Sequence, residues 1–292
     1  MKILLLGKNG QVGWELQRSL APLGEVLALD RRDGGGDLSQ PEAVAQRIAD
    51  EKPDWVVNAA AYTAVDKAES DVAMARLINA QAVAAVAQAC GQTGATLLHY
   101  STDYVFDGQG EHFHGEDEVT GPLSVYGQTK LEGEQAIMAS GCAHLIFRTS
   151  WVYAARGGNF AKTMLRLAQE KSQLTVVADQ WGAPTGAELI ADVSAQVISR
   201  FQRAHSGVYH LVADGQTTWL DYAHHVIEAA RARGLPVTVA ADQLHPVLTA
   251  NYPTAARRPL NSRLDTRKLR CTFGLHLPDW QTGVDRMLQE IL

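Results

Sequence analysis

The alternation of short apolar runs with helix-like segments constrains the fold of this chain more than any other feature. Residues 2–7 (KILLLG) have the length of a strand and lead into a glycine-containing turn. In the next segment Val12, Leu16 and Leu20 recur at helical spacing, and a second apolar run at residues 25–30 completes a strand–helix–strand unit. Continuous apolar strands that alternate with helices predict a parallel sheet covered by helices on both faces.

The same alternation continues along the chain, with a looser rhythm after residue 150. Further strands are predicted at residues 54–61, 95–106, 144–153, 174–178, 207–212 and 237–241. Further helices are predicted near Pro41 and at residues 71–90, 160–170, 187–201, 219–233 and 280–292. We therefore expect an α/β fold of the Rossmann type, a doubly wound parallel sheet over residues 1–150. A smaller C-terminal lobe over residues 151–292 would bind the substrate and interleave with the first domain.

Composition excludes several classes of protein. The chain of 292 residues has a formal net charge of -6 and a pI of about 5.9, so it lacks the basic surface that nucleic-acid binding needs. Its three cysteines, Cys90, Cys142 and Cys271, are far apart and fit a reducing compartment better than a disulfide framework. No apolar run approaches the ~20 residues of a membrane span. We expect a soluble, cytoplasmic protein without a membrane partner.

Three glycines at the end of the first predicted strand indicate a nucleotide-binding turn. Gly7, Gly10 and Gly13 are spaced G-x-x-G-x-x-G, which differs from the usual G-x-G-x-x-G fingerprint. The physical requirement is the same, because a backbone that approaches a pyrophosphate at a helix N-terminus needs glycine. The glycines alone could form a purely structural turn, but Asp30 ends the second strand, where a carboxylate can bind the adenosine ribose. Residues 1–150 are thus predicted to be a dinucleotide-binding domain.

The choice between the two nicotinamide dinucleotides stays open in the sequence. Asp30 favours NADH, whereas Arg31 or Arg32 beside it can pair with the 2′-phosphate of NADPH, so we expect the chain to accept NADPH or NADH. Asp37 and Leu38 lie where the next strand is expected to end, and are predicted to hold the adenine.

Tyr126 and Lys130 stand four residues apart at the start of a predicted helix, in the stretch SVYGQTKLEGE. Such residues lie on the same helix face, about 5–6 Å apart. A nearby positive charge lowers the pKa of a phenol, which is about 10 in water, and lets it exchange a proton near neutral pH. A reductase needs such a donor, because hydride addition to a carbonyl leaves an alkoxide. The alternative is a surface helix that carries both groups by chance.

Two strand ends supply further candidate site residues. Ser101, Thr102 and Asp103 run off a predicted central strand, at the edge where open α/β sheets bind ligands. A hydroxyl there can hold a substrate carbonyl oxygen towards Tyr126, although capping of the strand end is the alternative for Ser101 and Thr102. Residues 58–63 (NAAAYT) end another strand. Their small side chains either let a flat cofactor lie against the backbone or serve tight packing of helix on sheet.

In their order and spacing these residues resemble the extended short-chain dehydrogenase/reductase superfamily. The residues that carry the resemblance are Gly7, Gly10, Gly13, Asn58, Ala59, Ala60, Ser101, Thr102, Tyr126 and Lys130. More narrowly, blocks along nearly the whole chain are similar to the dTDP-4-dehydrorhamnose reductase family: GKNGQVGWEL, NAAAYTAVDKAE, STDYVFDG, VYGQTKLEGE, RTSWVY, NFAKTML, DQWGAPT and RPLNSRLDTRKL. The resemblance implies reduction of the C4 ketone of dTDP-4-dehydro-L-rhamnose to dTDP-L-rhamnose, the last step in making this nucleotide sugar.

The resemblance also assigns roles to individual residues. Thr102 would orient the keto oxygen, Tyr126 would donate the proton, and Lys130 would lower the pKa of the phenol and hold the nicotinamide ribose. Asp103 would touch the sugar, and Trp151 resembles the family's sugar-stacking tryptophan. The positions that match the cofactor site are Gly7, Gly10, Gln11, Val12, Gly13, Asp30, Asp37, Leu38, Ala61, Tyr62, Thr63, Tyr100, Tyr126 and Lys130.

A departure from related enzymes favours simple reduction. Nucleotide-sugar 4,6-dehydratases follow the threonine with an Asp-Glu pair that eliminates water, whereas here Thr102 precedes Asp103 and Tyr104. Without a second carboxylate the elimination lacks its base. A related epimerase or dehydratase remains an alternative. So does a non-catalytic regulatory subunit similar to the beta subunit of methionine adenosyltransferase.

Metal binding is considered at two places. The segment EHFHGEDE carries His112 and His114 but no evident partner cluster, and we interpret it as a solvated surface turn. By resemblance only, a divalent ion such as Mg²⁺ at a homodimer interface would be held by Glu15, Glu188 and Asp192.

A pair of arginines near the C-terminus is a further candidate for substrate binding. Arg257 and Arg258 precede a turn-rich segment. Guanidinium groups bind phosphate oxygens in a bidentate manner, so Arg258 is predicted to meet the diphosphate of the nucleotide sugar. The alternative is that both arginines are solvated.

Overall fold

The computed structural model describes residues 1–292 and contains twelve strands and eleven α-helices. The strands are β1 (Lys2–Leu6), β2 (Glu25–Leu29), β3 (Trp55–Asn58), β4 (Thr96–Thr102), β5 (His144–Thr149), β6 (Val152–Tyr153), β7 (Leu174–Val177), β8 (Trp181–Gly182), β9 (Thr185–Gly186), β10 (Gly207–His210), β11 (Thr217–Thr218) and β12 (Leu244–Val247). The helices are α1 (Gln11–Leu20), α2 (Pro41–Glu51), α3 (Val65–Ala68), α4 (Val72–Arg76), α5 (Ala82–Thr93), α6 (Val125–Ser140), α7 (Phe160–Glu170), α8 (Ala187–Arg200), α9 (Trp219–Ala232), α10 (Arg267–Phe273) and α11 (Trp280–Ile291).

Six parallel strands in the order β10-β5-β4-β3-β1-β2 form the central sheet. Side chains alternate between the two faces of a strand, and both faces of β1 are buried. Ile3 and Leu5 pack with α1 and α8, while Leu4 and Leu6 pack with α2 and α5. This explains the continuous apolar run of β1 and confirms the predicted doubly wound α/β fold.

The chain after residue 150 contributes to two bodies. Strand β10 completes the central sheet beside β5, and Ile190 and Val197 of α8 join the core that contains Ile3. A separate core lies among α7, α9 and α11, where Leu165, Tyr222 and Trp280 are buried together. The division into two domains at residue 150 stays a prediction.

Two local predictions are wrong. Residues 237–241 form no strand, because Val239 is buried as a single anchor and its backbone N–H donates to Ala168 O (3.1 Å). The strand lies later, at β12, which pairs with β7. Likewise no further strand lies between β2 and Asp37. Asp37 and Leu38 belong to the loop after β2, in which Gln40 N–H donates to Asp37 O (2.9 Å).

The helical stretch Val72–Thr93 is long and apolar enough to cross a membrane by length and composition. Here it is a core helix, because Val83, Val86 and Cys90 are buried against the central sheet. A π-helical turn at Leu77–Gln81 interrupts it. The turn contains Asn79, whose side-chain amide donates to Tyr62 O (3.1 Å) and fixes the loop after β3.

A buried ion pair fastens α6 to the central sheet. Arg148 Nη2 of β5 lies 2.7 Å from Glu134 Oε2 of α6, and the two side chains are only 4% and 0% exposed. Arg148 Nε donates to Glu134 Oε1 as well (3.0 Å), so the contact is bidentate. Each charge is stable in the interior only because the other is present.

We expect Arg148→Met to destabilise the protein by about 3–5 kcal/mol, because it leaves the Glu134 carboxylate buried without its partner. Denaturant unfolding would measure the loss. The matched control is Arg166→Met, whose partner Glu170 is exposed on the same helix and whose loss should cost under about 1 kcal/mol. Equal effects of the two substitutions would contradict the role of the buried pair.

Candidate active site

A cleft of about 1040 Å³ opens at the carboxyl ends of the central strands, the edge at which open α/β sheets bind ligands. A second cavity of about 490 Å³ continues from it over the end of β2. The two share the turn after β1, including Gly7, Asn9 and Gly10. Predicted cofactor residues that line one or both cavities are Gly7, Gly10, Gln11, Val12, Asp30, Asp37, Leu38, Ala61, Thr63, Tyr100, Tyr126 and Lys130.

The glycine turn allows the first strand and helix to meet closely. Gly7 has a φ of 90°, and a Cβ there would lie 2.8 Å from the Ala60 backbone nitrogen. A Cβ on Gly13 would lie 2.0 Å from Gly7 O. Gly13 is therefore required by packing and lines neither cavity, and its contact with the cofactor stays a prediction. Tyr62 also lies outside both cavities, and its hydroxyl donates to Asp71 Oδ2 (3.0 Å).

The cleft presents hydrogen-bonding groups that have no partner within the protein. The start of α1, at Gly10, has neither a side-chain cap nor an acidic residue in its first turn, so its backbone N–H groups and positive dipole end are available to an anion. Gln11 Oε1, Ser101 Oγ and Thr149 Oγ1 are buried, line the cleft and lack hydrogen-bond partners. An elongated polar ligand such as a nicotinamide dinucleotide fits this set of donors and acceptors.

The adenosine end is formed around Asp30. Its carboxylate accepts from the Arg32 backbone N–H (2.8 Å) and from Arg32 Nη2 (3.0 Å), and Asn9 also contacts it. The hydrogen bonds from Arg32 lower the pKa of Asp30 to about 2, so it is ionised throughout the neutral range. The Arg32 side chain is 79% exposed at the rim of the smaller cavity, where it can turn towards a ligand phosphate.

The first turn of α6 places Tyr126 in the cleft. Ser124 caps the helix by accepting from the Gly127 backbone N–H (3.2 Å). A Cβ at Gly127 would lie 2.2 Å from Tyr104 O, so glycine lets this turn lie directly against the loop after β4. Thr102, the last residue of β4, lines the same part of the cleft.

The pKa of Tyr126 is shifted in the direction opposite to our prediction. Burial raises it to about 12, the nearby Asp103 charge adds to this increase, and the Thr102 hydroxyl partly offsets it. The predicted effect of Lys130 is not among these causes, and its Nζ contacts Tyr100 O and His99 Nε2 instead. The phenol is therefore held in its protonated form.

Lys130 is only 1% exposed and reaches back to the sheet. Its Nζ donates to Tyr100 O (2.6 Å) and lies 3.0 Å from His99 Nε2. Burial lowers the pKa of Lys130 to about 8, while the Glu134 carboxylate raises it. Burial and the charge of Lys130 hold the pKa of His99 well below its usual value, so its ring is neutral.

A count of donors and acceptors around His99 assigns its proton. Asn58 Oδ1 accepts from the Ala60 backbone N–H (3.1 Å), which directs the Asn58 amide nitrogen to His99 Nδ1 (3.2 Å). An amide nitrogen only donates, so Nδ1 accepts and the single ring proton of neutral His99 lies on Nε2. That proton points at Lys130 Nζ, which can accept it only as a neutral amine. The network thus acts in the same direction as burial, which lowers the pKa of Lys130.

Asp103 is fixed by two hydroxyl groups at the inner end of the cleft. Thr102 Oγ1 donates to Asp103 Oδ1 (3.0 Å), and Ser262 Oγ donates to Asp103 Oδ2. Burial raises the pKa of Asp103 to about 6, and the two hydrogen bonds oppose this rise. Sequence reasoning missed Ser262 and His99, because each acts through a contact with a residue that is remote in the chain.

Two tryptophans form the outer wall of the cleft. Trp151 has a φ of 49°, unusual for a non-glycine residue, and its ring stacks on Trp219 with centroids 3.6 Å apart. Trp219 Nε1 donates to Gln180 Oε1 (3.0 Å), which holds that indole in place. Trp219 was missed as a site residue. One face of the predicted sugar-stacking Trp151 is therefore already covered by a second indole.

Arg258 and the three proposed metal ligands also lie apart from both cavities. Arg258 instead pairs with Asp66 (2.8 Å), so its contact with the substrate stays a prediction. The three proposed metal ligands are each paired with an arginine on the outer surface. Arg18 contacts Asp192 (2.9 Å) and Glu15 (3.4 Å), and Arg286 contacts Glu188 (3.5 Å). The metal role of these acids stays a prediction.

The sheet, the glycine turn and the Thr102–Tyr126–Lys130 set define the class of the protein as a Rossmann-type short-chain dehydrogenase/reductase. A family model of the RmlD substrate binding domain matches residues 1–292. The dTDP-4-dehydrorhamnose reductase of Escherichia coli (strain K12) is 57% identical over 295 residues, covering 100% of this chain and 98% of that protein. The chain therefore belongs to the RmlD substrate binding domain family, the family of the dTDP-4-dehydrorhamnose reductases.

Solved structures agree over the whole length. A dTDP-4-dehydrorhamnose reductase from Clostridium acetobutylicum superposes with a TM-score of 0.90 at 36% identity, covering 100% of this chain and 99% of that one. The dTDP-4-dehydrorhamnose reductase from Bacillus anthracis, in complex with NADP, gives 0.89 at 33% identity and covers 99% of both chains.

We expect Arg32→Ala to raise KM for NADPH by about 10- to 100-fold and to change KM for NADH little, because it removes charge-assisted hydrogen bonds to a 2′-phosphate. Initial rates with each coenzyme measure this. Arg166→Ala, on the surface of α7, serves as the control for a general loss of positive charge. A parallel rise of KM for both coenzymes would contradict a role specific to the 2′-phosphate.

Proposed function

We propose that this chain catalyses the NADPH- or NADH-dependent reduction of the C4 ketone of dTDP-4-dehydro-L-rhamnose to dTDP-L-rhamnose. The observation that carries the proposal is the convergence of Thr102, Tyr126 and Lys130 at the strand ends of a dinucleotide cleft. The family to which the chain belongs supplies the substrate. When bound, the reduced nicotinamide supplies a hydride to the carbonyl carbon.

The protonated phenol of Tyr126 acts as the general acid. A pKa raised to about 12 keeps the proton on Tyr126 until the carbonyl oxygen becomes a strongly basic alkoxide. The single proton of the Thr102 hydroxyl, which is donated to Asp103 Oδ1 in the free protein, turns to the carbonyl oxygen and holds it beside the phenol. Asp103, which Ser262 still fixes, orients the sugar by accepting from its hydroxyl groups.

Lys130 adjusts its charge to the state of the site. With a pKa of about 8, Lys130 is an ammonium for most of the time at neutral pH but is close to its titration point, and a new negative charge nearby favours the ammonium further. Such a charge arises when Tyr126 loses its proton. His99 is a positioning residue, because the contact of its Nε2–H with Lys130 Nζ influences the pKa of Lys130 in the free enzyme.

The cleft offers two kinds of positive group to the phosphates of the coenzyme and of the nucleotide sugar. The start of α1 presents free backbone N–H groups at Gly10. Lys130 and Arg156 are the cationic side chains of the main cleft, and Lys130 is engaged with the sheet. Arg156, whose guanidinium lies 4.0 Å from the centroid of the Trp14 ring, is therefore the cation that is free to meet a diphosphate.

The residues around Thr102 favour reduction over dehydration. The position after Asp103 holds Tyr104, whose ring packs edge-on against Tyr126 with centroids 5.7 Å apart. Burial raises the pKa of Tyr104, so this phenol stays neutral and provides no base for elimination of water.

Location and assembly belong to the same proposal. A biosynthetic enzyme that uses a nucleotide sugar and a reduced coenzyme is expected in the cytoplasm, without a nucleic-acid or membrane partner. A homodimer whose subunits share a Mg²⁺ ion through Glu15, Glu188 and Asp192 is part of the proposal. The arginines that now pair with these acids would have to yield to the metal.

We expect Tyr126→Phe to lower kcat for the dTDP-4-keto sugar by ~10² or more, because the alkoxide loses its proton donor. Consumption of NADPH, followed by its absorbance, measures the rate. Binding of NADPH, followed by fluorescence, should change little. The control is Tyr252→Phe, at an exposed tyrosine outside the cleft. An unimpaired Tyr126→Phe enzyme would rule out the mechanism, and an inactive wild type with both coenzymes would favour a regulatory subunit.

We expect His99→Gln to shift the alkaline limb of the pH profile upward. Free enzyme should lose kcat/KM for NADPH as Lys130 loses its proton near pH 8. A glutamine oxygen can accept from the ammonium, which raises the pKa of Lys130 and moves the limb by about one pH unit. His276→Gln, at an exposed histidine, is the control. An unchanged limb would refute the role of His99.

A further inference from the structure

The segment EHFHGEDE, for which the sequence indicates a solvated turn, forms an ordered cluster. One side-chain ligand atom from each of His112, His114 and Glu118 lies within 4.8 Å of the other two. Glu118 is the third ligand that the spacing of the two histidines did not reveal. His114 is buried, with a side chain that is 4% exposed, so the interpretation as a fully solvated turn is wrong for this residue.

The distances are close to those of a tetrahedral metal site. Glu118 Oε2 lies 3.1 Å from His112 Nε2 and 2.8 Å from His114 Nδ1. An ion with tetrahedral bonds of about 2.0–2.1 Å keeps neighbouring ligand atoms about 3.3 Å apart. Movements of a few tenths of an ångström would bring Glu118 Oε2 to this separation from both nitrogens. The ligand atoms of the two histidines, which lie within 4.8 Å of each other, also have to approach to this separation.

Neighbouring groups hold two of the three ligands in place without a metal. The His114 ring stacks on Phe106, with centroids 4.6 Å apart and an interplanar angle of 8°. The His114 backbone N–H donates to Arg263 O (2.9 Å), and the Gly115 N–H donates to Glu118 Oε1 (2.8 Å). Glu118 Oε1 is thus fixed by the Gly115 N–H, while Oε2 faces the two histidines. Contacts of this kind hold the ligands of metal sites in place.

We propose that His112, His114 and Glu118 bind one Zn²⁺ ion per chain. Two imidazole nitrogens and one carboxylate oxygen are a donor set that zinc prefers, whereas Mg²⁺ and Ca²⁺ prefer oxygen ligands alone. The His112 side chain is 60% exposed, so the fourth position faces solvent and a water molecule completes the site. Each imidazole binds the ion in its neutral form with the proton on the other ring nitrogen, so the ion replaces the hydrogen bonds that now join Glu118 to the histidines.

The proposed zinc site is separate from the reaction centre but is hydrogen-bonded to the segment that holds Asp103. Asn261 Nδ2 donates to His112 O (2.8 Å), and the next residue, Ser262, donates to Asp103. Asp265 N–H donates to His114 O (2.9 Å), so the loop and the segment from Asn261 to Asp265 are joined at both ends. Zinc stabilises this junction and takes no part in the reduction, so the proposal stands independently of the substrate.

Titration of the tag-free, full-length protein with ZnCl₂ in a calorimeter tests the site. We expect one ion per chain, and a higher Tm in the presence of Zn²⁺ because the metal binds only the folded chain. His112→Ala, at an exposed position that should not affect folding, and Glu118→Gln should each weaken binding by at least ~10- to 100-fold and abolish the Tm increase.

His276→Ala, which removes an exposed histidine elsewhere, should bind Zn²⁺ as the wild type does. Wild type without a one-to-one binding event would overturn the proposal. Equal binding by wild type, His112→Ala and Glu118→Gln would overturn it as well, because the zinc would then bind adventitiously to other surface groups.

Discussion

The burial of two ionisable side chains of α6 against the sheet is the constraint on which the site depends. Lys130 donates to Tyr100 O of β4, and Glu134, one helical turn later, pairs with Arg148 of β5. A charge in the interior is tolerated only with its partners, so these contacts fix both the register and the rotation of α6. Because Tyr126 precedes Lys130 by one turn on the same face, the helix that is fixed in this way also directs the phenol into the cleft.

The same burial sets the acid–base properties of the site. It raises the pKa of Tyr126 and lowers that of Lys130, so at neutral pH the phenol holds its proton and the amine is close to its titration point. The spacing of the two residues by itself predicts the reverse for Tyr126. Direct attraction between them is replaced by a network in which Lys130 is bonded to the sheet and to His99.

The substrate end of the cleft combines segments that are distant in the chain. Trp151 follows β5, Trp219 begins α9, and Ser262 comes from the C-terminal segment that also contacts the loop of His112. Trp219 packs against the second core, which lies among α7, α9 and α11. The dinucleotide end, by contrast, is built almost entirely from consecutive strand ends of the first half of the chain.

Local patterns were sufficient for the alternation of strands and helices, the glycine turn at Gly7 and the strand end at Thr102, because these depend on periodicity and on backbone requirements within a few residues. Packing decided the rest. The apolar residues 237–241 predict a strand, but in the folded chain only Val239 among them is fully buried, and the strand β12 comes after them. The proton on His99, the stacking of Trp151 on Trp219 and the meeting of His114 with Glu118 depend on which groups face each other in the folded chain. Sequence spacing contains no record of such contacts, since they arise only when distant segments are buried together.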